Sequence, residues 1–292
     1  MPLLLLGLAA ALASSTLYNV GVALQAYEAR QQHTDNSLHP SLIAKLAQRP
    51  FWLAGMACVI GGWALQGSAL LVAPLTIVQP MLAGGLVVLL LVGHRFLGEP
   101  VGRREVLAVL AIALGVVGLA MAGPRGASHE VSGSLLALAL GAFAVAVLAP
   151  YVLPLRGRRL ASLVVLSAGL AYAWCGLSTN LAADALADGN MPATVLWIVS
   201  TAAAGGLGLL SEMTALQTRP AIRVFPIVLV VQIVVAVVLA PLLAGESWSA
   251  TPLNGLALLS ALAVVAAGTA ALASAPAVSA VLSGGSARRE AT

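Results

Sequence analysis

Apolar residues form long, nearly uninterrupted runs along this chain of 292 residues, and charged residues are confined almost entirely to the connections between the runs. Each run is about as long as the roughly 20 residues that an α-helix needs to cross the hydrocarbon core of a bilayer. The pattern therefore predicts nine transmembrane helices. Their expected bounds are residues 3–27, 51–72, 74–94, 104–123, 132–153, 161–183, 192–217, 221–243 and 252–273.

The runs lack the alternation of polar and apolar residues that is typical of strands in a membrane β-barrel. The segment VLAVLAIALGVVGLAMAG (106–123) is one example. The composition changes the picture in the same direction, because 60% of the residues are hydrophobic and only 8% are charged. A soluble globular domain has about 25% charged residues. We therefore expect an all-α integral membrane protein.

Positively charged residues fall almost entirely on one side of the predicted topology. When the connections are assigned alternately to two sides, thirteen of the fourteen Lys and Arg residues share one side, and only Arg125 lies on the other. Loops rich in Lys and Arg remain cytoplasmic, so we predict an outside amino terminus and a cytoplasmic carboxyl terminus in the cell (inner or plasma) membrane. Membrane lipids are the expected partners of this surface, and nucleic acid is not. The thirteen residues are Arg30, Lys45, Arg49, Arg95, Arg103, Arg104, Arg156, Arg158, Arg159, Arg219, Arg223, Arg288 and Arg289.

The second half of the chain repeats features of the first half. With an offset of 146 residues, Gly62 falls on Gly208 and Pro80 falls on Pro226. The order is four helices, one linking helix and four more helices, and a single linking helix reverses the second unit relative to the first. Inverted repeats of this kind are common in secondary transporters.

A second offset, of 161 residues, places Asn19 of the first helix on Asn180 of the sixth. We therefore predict two inverted four-helix repeats joined by a linking helix. The predicted units are repeat unit 1 (1–123), the linking helix 5 with a basic loop (124–160), repeat unit 2 (161–273) and a disordered cytoplasmic tail (274–292).

Two segments resemble the EamA-like unit of the drug/metabolite transporter superfamily. Residues 69–123 contain a helix with a proline, a Leu-Gly-Glu ending, a short basic loop and a Gly-rich helix, and the segment from Ala215 to about Ala273 contains a proline and then LLAGES (242–247). The resemblance implies two inverted units, usually of five helices each, that transport a small solute. A plan of nine helices with an outside amino terminus is similar to that of the NIPA-like magnesium transporters of the same superfamily.

Polar residues within the predicted helices are the candidate site residues. Glu212 is the clearest case, because a charge inside the bilayer is costly and is by default a functional hypothesis. Amide side chains can both donate and accept hydrogen bonds, so they are suited to a polar solute. The predicted substrate-binding residues are Glu212, Asn19, Gln66, Gln79, Asn180 and Gln232, and the predicted helix-kink residues are Pro80 and Pro226.

Each of these features also has a structural interpretation. Amides can join helices by hydrogen bonds, a proline can kink a helix without binding anything, and Glu212 could pair with Arg219 or Arg223. Tyrosines such as Tyr18 and Tyr172 could form stacking walls for a solute or pack structurally.

Three features outside the helices carry further expectations. Glu99 and Glu246 follow the third and eighth predicted helices, and each is expected to meet the positive end of the helix that comes next. The stretch SLIAKLAQ (41–48) is amphipathic and is expected to lie on the cytoplasmic lipid surface.

The chain contains no P-loop, no HExxH motif and no Gly-x-Ser-x-Gly motif, so we predict no enzyme activity, no cofactor, no metal site and no ATPase of its own. The predicted function is secondary transport of a small polar metabolite, for example an amino-acid-like solute, by alternating access and with efflux favoured. One alternative is transport of magnesium or another divalent cation. An alternative from another class is a membrane scaffold protein without transport.

The topology makes a direct prediction for Arg103, Arg158 and Arg125. Single cysteines that replace Arg103 and Arg158 should react with a membrane-impermeant thiol reagent from the same, cytoplasmic side, and a cysteine at Arg125 should react from the opposite side. Labelling of Arg103→Cys and Arg158→Cys from opposite sides would contradict the predicted inversion.

Overall fold

The computed structural model describes residues 2–72, 75–122, 133–153, 157–244 and 255–273. Over these ranges the chain is helical and contains no strand. A 3-10 turn spans Thr34–Asn36. The α-helices are α1 (Pro2–Arg30), α2 (Pro40–Leu46), α3 (Pro50–Val72), α4 (Leu75–Leu97), α5 (Arg103–Ala122), α6 (Gly133–Val152), α7 (Gly157–Ala187), α8 (Met191–Thr218), α9 (Ala221–Ala244) and α10 (Leu256–Ala273).

The all-helical prediction is confirmed for the described residues. Each of the nine predicted segments overlaps one long helix, and the short helix α2 lies in the connection between the first two. Three spans are long and apolar enough to cross a membrane: Leu6–Arg30, Leu160–Ala187 and Met191–Thr218. Four shorter apolar stretches lie in α4, α6, α9 and α10. The predicted tail (274–292), Arg125 and Glu246 lie outside the described residues.

The outer surface of the bundle is apolar. Large hydrophobic side chains such as Leu91, Leu114, Leu138 and Val145, on the three helices α4, α5 and α6, are all at least 65% exposed. Monomeric soluble proteins rarely expose extended apolar surface of this kind. The surface therefore fits a helical bundle that is surrounded by lipid.

Local sequence signals explain where several helices begin and end. Gly98 has a φ of +64° directly after α4, a left-handed conformation that glycine adopts without a steric penalty. Gly189 has a φ of +71° after α7. The Asn190 side chain then accepts a hydrogen bond of 3.2 Å from the backbone N–H of Ala193, and so caps α8.

The packing order of the first four long helices recurs in the last four. Helix α1 packs against α3 and α4, and α4 packs against α5. In the same way, α7 packs against α8 and α9, and α9 packs against α10. Helix α6 packs against α7, and the two groups meet where α5 contacts α10 and where α1 contacts α8 and α9. One buried apolar cluster runs through both groups.

The close contacts define which residues of α1 and α7 are equivalent. A Cβ atom added to Gly62 of α3 would lie 3.2 Å from the Tyr18 Cβ of α1, and one added to Gly208 of α8 would lie 2.9 Å from the Tyr172 ring of α7. Tyr18 and Tyr172 therefore have similar places in the two helix pairs, and they are 154 residues apart. The predicted offset of 161, which matches Asn19 with Asn180, differs from this spacing by seven residues, about two helical turns.

Helices α5 and α10 cross at two glycines. A Cβ on Gly115 would lie 3.1 Å from the carbonyl oxygen of Ala261, and one on Gly268 would lie 2.8 Å from the carbonyl oxygen of Ala108. An offset of 153 residues converts Gly115 into Gly268 and Ala108 into Ala261, so the two contacts are equivalent. Residue numbers rise along α5 as they fall along α10, and the pair is antiparallel.

Several ion pairs lie at one end of the bundle, which we call the basic end. The end of α1 meets the end of α4 through Arg30 and Glu99, and α9 meets α5 through Arg223 and Glu105. The Arg219 side chain after α8 donates a hydrogen bond of 3.2 Å to Ser162 of α7. The described basic connections therefore lie together, as the alternation of charge predicts.

The α5–α10 crossing predicts that two glycine substitutions change the free energy of unfolding differently. Gly115→Ala should lower the free energy of unfolding by about 1–3 kcal/mol, because the new methyl group overpacks the crossing. Gly141→Ala in α6 is the matched control, since a Cβ there meets no atom within 4 Å, and it should be neutral or slightly stabilising. Thermal unfolding in detergent measures both, and equal melting temperatures for the two variants would contradict the described crossing.

Candidate functional site

Glu212 lies in a segment of α8 that is buried on all sides. Every residue from Leu210 to Gln217 is buried, and Glu212 itself is 6% exposed. An amphipathic helix at a surface would bury only one face. The segment is enclosed because α1, α2, α7 and α9 all contact α8. Glu212 is therefore directed into protein and not into lipid.

The Glu212 carboxylate is held by Tyr172. The Tyr172 hydroxyl donates a hydrogen bond of 2.6 Å to Oε2 of Glu212. The tyrosine ring lies directly against Gly208, one turn before Glu212 on the same helix, where any larger residue would collide with it. Gly208 thus positions the hydroxyl that positions the carboxylate.

A second pair of aromatic rings adjoins the site through Tyr18. Tyr18 of α1 lies close to the Glu212 carboxylate. The rings of Tyr18 and Phe225 in α9 have centroids 5.6 Å apart. The site therefore combines one carboxylate, two phenol groups and one apolar ring, and its residues come from α1, α7, α8 and α9. It lies between the two groups of helices.

The structure brings only some of the predicted site residues into buried positions. Asn19 is buried against Gly85 of α4, and its Nδ2 donates a hydrogen bond of 2.8 Å to the carbonyl oxygen of Ser15. Its Oδ1 atom is buried without a hydrogen-bond partner among the described residues, which leaves an acceptor at the α1–α4 boundary.

The other predicted site residues are less enclosed. Gln66 and Gln232 are half-buried, and Asn180 is exposed. Pro226 is buried in α9 directly after Phe225, and its missing N–H leaves a carbonyl of the preceding turn without its usual donor. Gln79 and Pro80 belong to α4, and their side chains lie outside the described part of the chain.

A hydroxyl cluster beside the site carries no signal in the sequence. Ser211, the residue before Glu212, lies 2.8 Å from the Tyr151 hydroxyl and 3.1 Å from the Ser167 hydroxyl. Ser167 also donates a hydrogen bond of 2.7 Å to the carbonyl oxygen of Val147. These bonds join α6, α7 and α8.

Glu99 contacts a helix that differs from the predicted one. Its carboxylate pairs with Arg30 and accepts hydrogen bonds from the backbone N–H groups of Ala221 (2.6 Å) and Ile222 (2.9 Å). Glu99 therefore caps α9 and not the next helix, α5. The expectation of a helix dipole as its partner is met, but the helix is the wrong one, because the basic end brings the start of α9 against the end of α4.

The segment between α1 and α3 covers the end of α8. The backbone N–H of Leu38 donates to Oγ1 of Thr214 (3.0 Å), and the Ser37 hydroxyl donates to Oε1 of Gln217 (2.9 Å). Leu42 and Leu46 of α2 are fully buried. The leucines of the predicted lipid-surface segment thus pack against protein, because the end of α8 offers them an apolar surface.

An apolar groove lies between α5 and α10, away from Glu212. Its volume is about 560 Å³, and its lining includes Leu114, Gly118, Met121, Ala257 and Ser260. The hydroxyl of Ser260 is bonded to the carbonyl oxygen of Ala257 at 2.8 Å. The groove therefore presents small apolar groups and is not suited to a polar solute.

The comparisons with known proteins leave the chain without an assigned relative. No family model matches it, and no curated protein or solved structure is significantly similar to it. Within the described residues, no group of three or more His, Cys, Asp and Glu side chains is arranged to hold a metal ion.

The contact between Tyr172 and Glu212 predicts a measurable contribution to stability. Tyr172→Phe keeps the ring but removes the donor to a buried carboxylate, and it should lower the free energy of unfolding by about 1–3 kcal/mol. Tyr27→Phe is the control, because Tyr27 is 46% exposed and should change little. Unfolding followed in detergent compares the variants, and a Tyr172→Phe protein as stable as the Tyr27→Phe protein would contradict the described bond.

Proposed function

We propose that this protein is a secondary transporter that moves a small polar organic solute, such as an amino-acid-like metabolite, across the cell membrane by alternating access. Export is the favoured direction. The observation that carries the proposal is the environment of Glu212, a buried carboxylate that lies between two groups of helices and is bonded to a tyrosine and not to an arginine in the described structure.

The other buried glutamates make the contrast clear. Glu28, Glu99 and Glu105 are also buried, and each has an arginine near it at the basic end. Glu99 and Glu105 are hydrogen-bonded to their arginines, which compensates the cost of desolvating a carboxylate. Glu28 lies 3.9 Å from Arg49, a looser contact. Glu212 lacks such a pair among the described residues, so a proton or the positive group of a bound solute is the natural counter-charge. A residue of this kind inside a membrane protein is characteristic of a transport pathway.

The repeated packing order supports the architecture that alternating access requires. We propose nine transmembrane helices, with an outside amino terminus and two inverted four-helix repeats (α1 with α3–α5, and α7–α10) joined by α6. The antiparallel α5–α10 crossing, with its two equivalent glycine contacts, is the contact that a two-fold axis in the membrane plane would generate. The site around Glu212 then lies at the boundary between the repeats, where one repeat can move against the other.

The resemblance to the EamA-like unit of the drug/metabolite transporter superfamily agrees with this proposal. In the proposed mechanism Glu212 alternates between a loaded state and an unloaded state. In the loaded state it is either protonated and neutral or paired as a carboxylate with a cationic group of the solute, and in the unloaded state it is a free carboxylate after the proton or the solute has left on the other side. Tyr172 stabilises the charged carboxylate through its hydrogen bond, and the rings of Tyr18 and Phe225 contact the apolar part of the solute. The energy comes from a gradient, since the chain has no ATP-binding motif.

The magnesium alternative makes different demands on the same site. Mg²⁺ is usually bound by one or two carboxylates together with waters and dehydrates reluctantly. Glu212 offers one carboxylate, and its neighbours Tyr18 and Phe225 offer aromatic surface that a hydrated ion does not need. The organic solute is therefore the better fit.

Transport in proteoliposomes tests the proposal. Wild-type protein should exchange at least one member of a panel of radiolabelled amino acids and amines, with a rate that depends on pH, and Glu212→Gln should reduce that rate about tenfold or more. Glu28→Gln is the matched control, because Glu28 is also buried but lies in the paired set at the basic end, and it should retain transport.

The outcomes separate the candidates. Uptake of Mg²⁺ that a magnesium-sensitive dye detects inside the proteoliposomes, without exchange of organic solutes, would favour the cation alternative. If folded wild-type protein moves neither class of substrate and shows no thermal stabilisation by any member of the panel, that result would contradict transport and favour a scaffold role. A Glu212→Gln protein with an unchanged rate and pH profile would remove Glu212 from the mechanism.

A further inference from the structure

The start of α9 is capped by a residue that lies more than 100 positions earlier in the chain. The Arg223 N–H bonds to the carbonyl oxygen of Pro220 at 3.1 Å, so Ala221 and Ile222 carry the N–H groups that the first turn leaves without a partner. Both donate to Glu99, which is 122 residues earlier than the first of them. A helix start with a buried carboxylate cap of this kind is stabilised by hydrogen bonds and by the helix dipole together.

Glu99 is itself held rigidly. Its backbone N–H donates to the carbonyl oxygen of Gly93 at 3.0 Å, and its carbonyl oxygen lies 3.0 Å from Nδ1 of His94. A Cβ atom on Gly93 would lie 2.6 Å from Cγ2 of Ile222 and 3.1 Å from Oε2 of Glu99. Because Gly93 has no side chain, both the Glu99 carboxylate and Ile222 of α9 can pack against it.

A second ion pair spans the same boundary. Arg223 of α9 lies 3.2 Å from Oε1 of Glu105 in α5, and Oε2 of Glu105 accepts a hydrogen bond of 3.0 Å from the backbone N–H of Gly102. Both carboxylates belong to the first group of helices, and both hold α9 of the second group. By contrast, the pair of Glu28 with Arg49 joins α1 to the residue before α3, within the first group.

The first turn of α9 also leads directly to the candidate site. Phe225, which packs against Tyr18, comes three residues after Ile222. If α9 moved away from the ends of α1 and α4, it would separate Phe225 from Tyr18 and leave the Glu99 carboxylate with Arg30 alone. The contact of α9 with Glu99 and the contact of Phe225 with Tyr18 therefore both depend on the position of the start of α9.

We propose that Glu99, with Arg30 as its counter-ion, is the latch that closes the transport pathway at the basic end, and that α9 must leave Glu99 for the site to open there. This inference rests on the proposed transport function. Glu105 and Arg223 form a second, weaker contact across the same boundary. The latch acts by position, and Glu99 does not touch the solute.

Site-directed labelling tests the latch without any transported solute. The reporter is Phe225→Cys in a protein whose two native cysteines are replaced (Cys58→Ala, Cys175→Ala), and the reagent is a membrane-impermeant maleimide supplied from the side of the basic end. Glu99→Gln should raise the rate of labelling about tenfold, because the glutamine NH₂ group would face the N–H donors of α9 and favour the open state. Glu28→Gln on the same background is the matched control and should leave the rate within about twofold of the parent.

A second variant keeps the test decisive if Glu99→Gln does not fold. Arg30→Gln retains the carboxylate but removes its counter-ion, and it should also raise the rate. Labelling that is unchanged in a folded, monodisperse latch variant, or raised equally by Glu28→Gln, overturns the latch. Because the reporter needs no substrate, faster labelling without solute exchange would retain the latch and reject transport, and solute exchange with unchanged labelling would do the opposite.

Discussion

The structure depends on how a bundle with an apolar exterior compensates the few carboxylates that it buries. Desolvation makes an unpaired charge expensive, and Glu99 and Glu105 meet this requirement with arginines at the basic end. Those pairs fix where α1, α4, α5 and α9 end or begin relative to one another. The Glu212 carboxylate instead accepts a hydrogen bond from the Tyr172 hydroxyl. This neutral partner distinguishes the candidate site from the glutamate–arginine pairs.

Small residues provide the second part of the account. Gly208 admits the Tyr172 ring, Gly93 admits Glu99 together with Ile222, and Gly115 lets α5 approach α10. In a lipid environment helices associate through such close contacts and not through the hydrophobic effect. The glycines therefore place the polar groups at the distances at which they can interact, and the site around Glu212 depends on packing several residues away from it.

The sequence predicts the helices well because apolar runs and charged connections are local signals. Glu212 could be selected from the sequence because it is an acidic residue within an apolar run. Its partner Tyr172 could not, since the contact between them depends on how α7 packs against Gly208 of α8. The cap that Glu99 forms on α9 was equally hidden, because a carboxylate after a helix is expected to serve the next helix, and nothing local indicates one more than 100 residues away. Asn180 is selected from the sequence by its match with Asn19, and the structure places it at an exposed position of α7.

The central claim is that two groups of helices move against each other around Glu212, with the basic end closed in the described conformation. Pulsed electron paramagnetic resonance between spin labels on Arg103→Cys in α5 and Thr218→Cys in α8, both exposed positions, measures that movement directly in lipid nanodiscs. The account predicts two distance populations, with the longer one enriched when Glu99 is replaced by Gln. One narrow distance that is identical in the parent protein, in the Glu99→Gln protein and in the Glu212→Gln protein would contradict it.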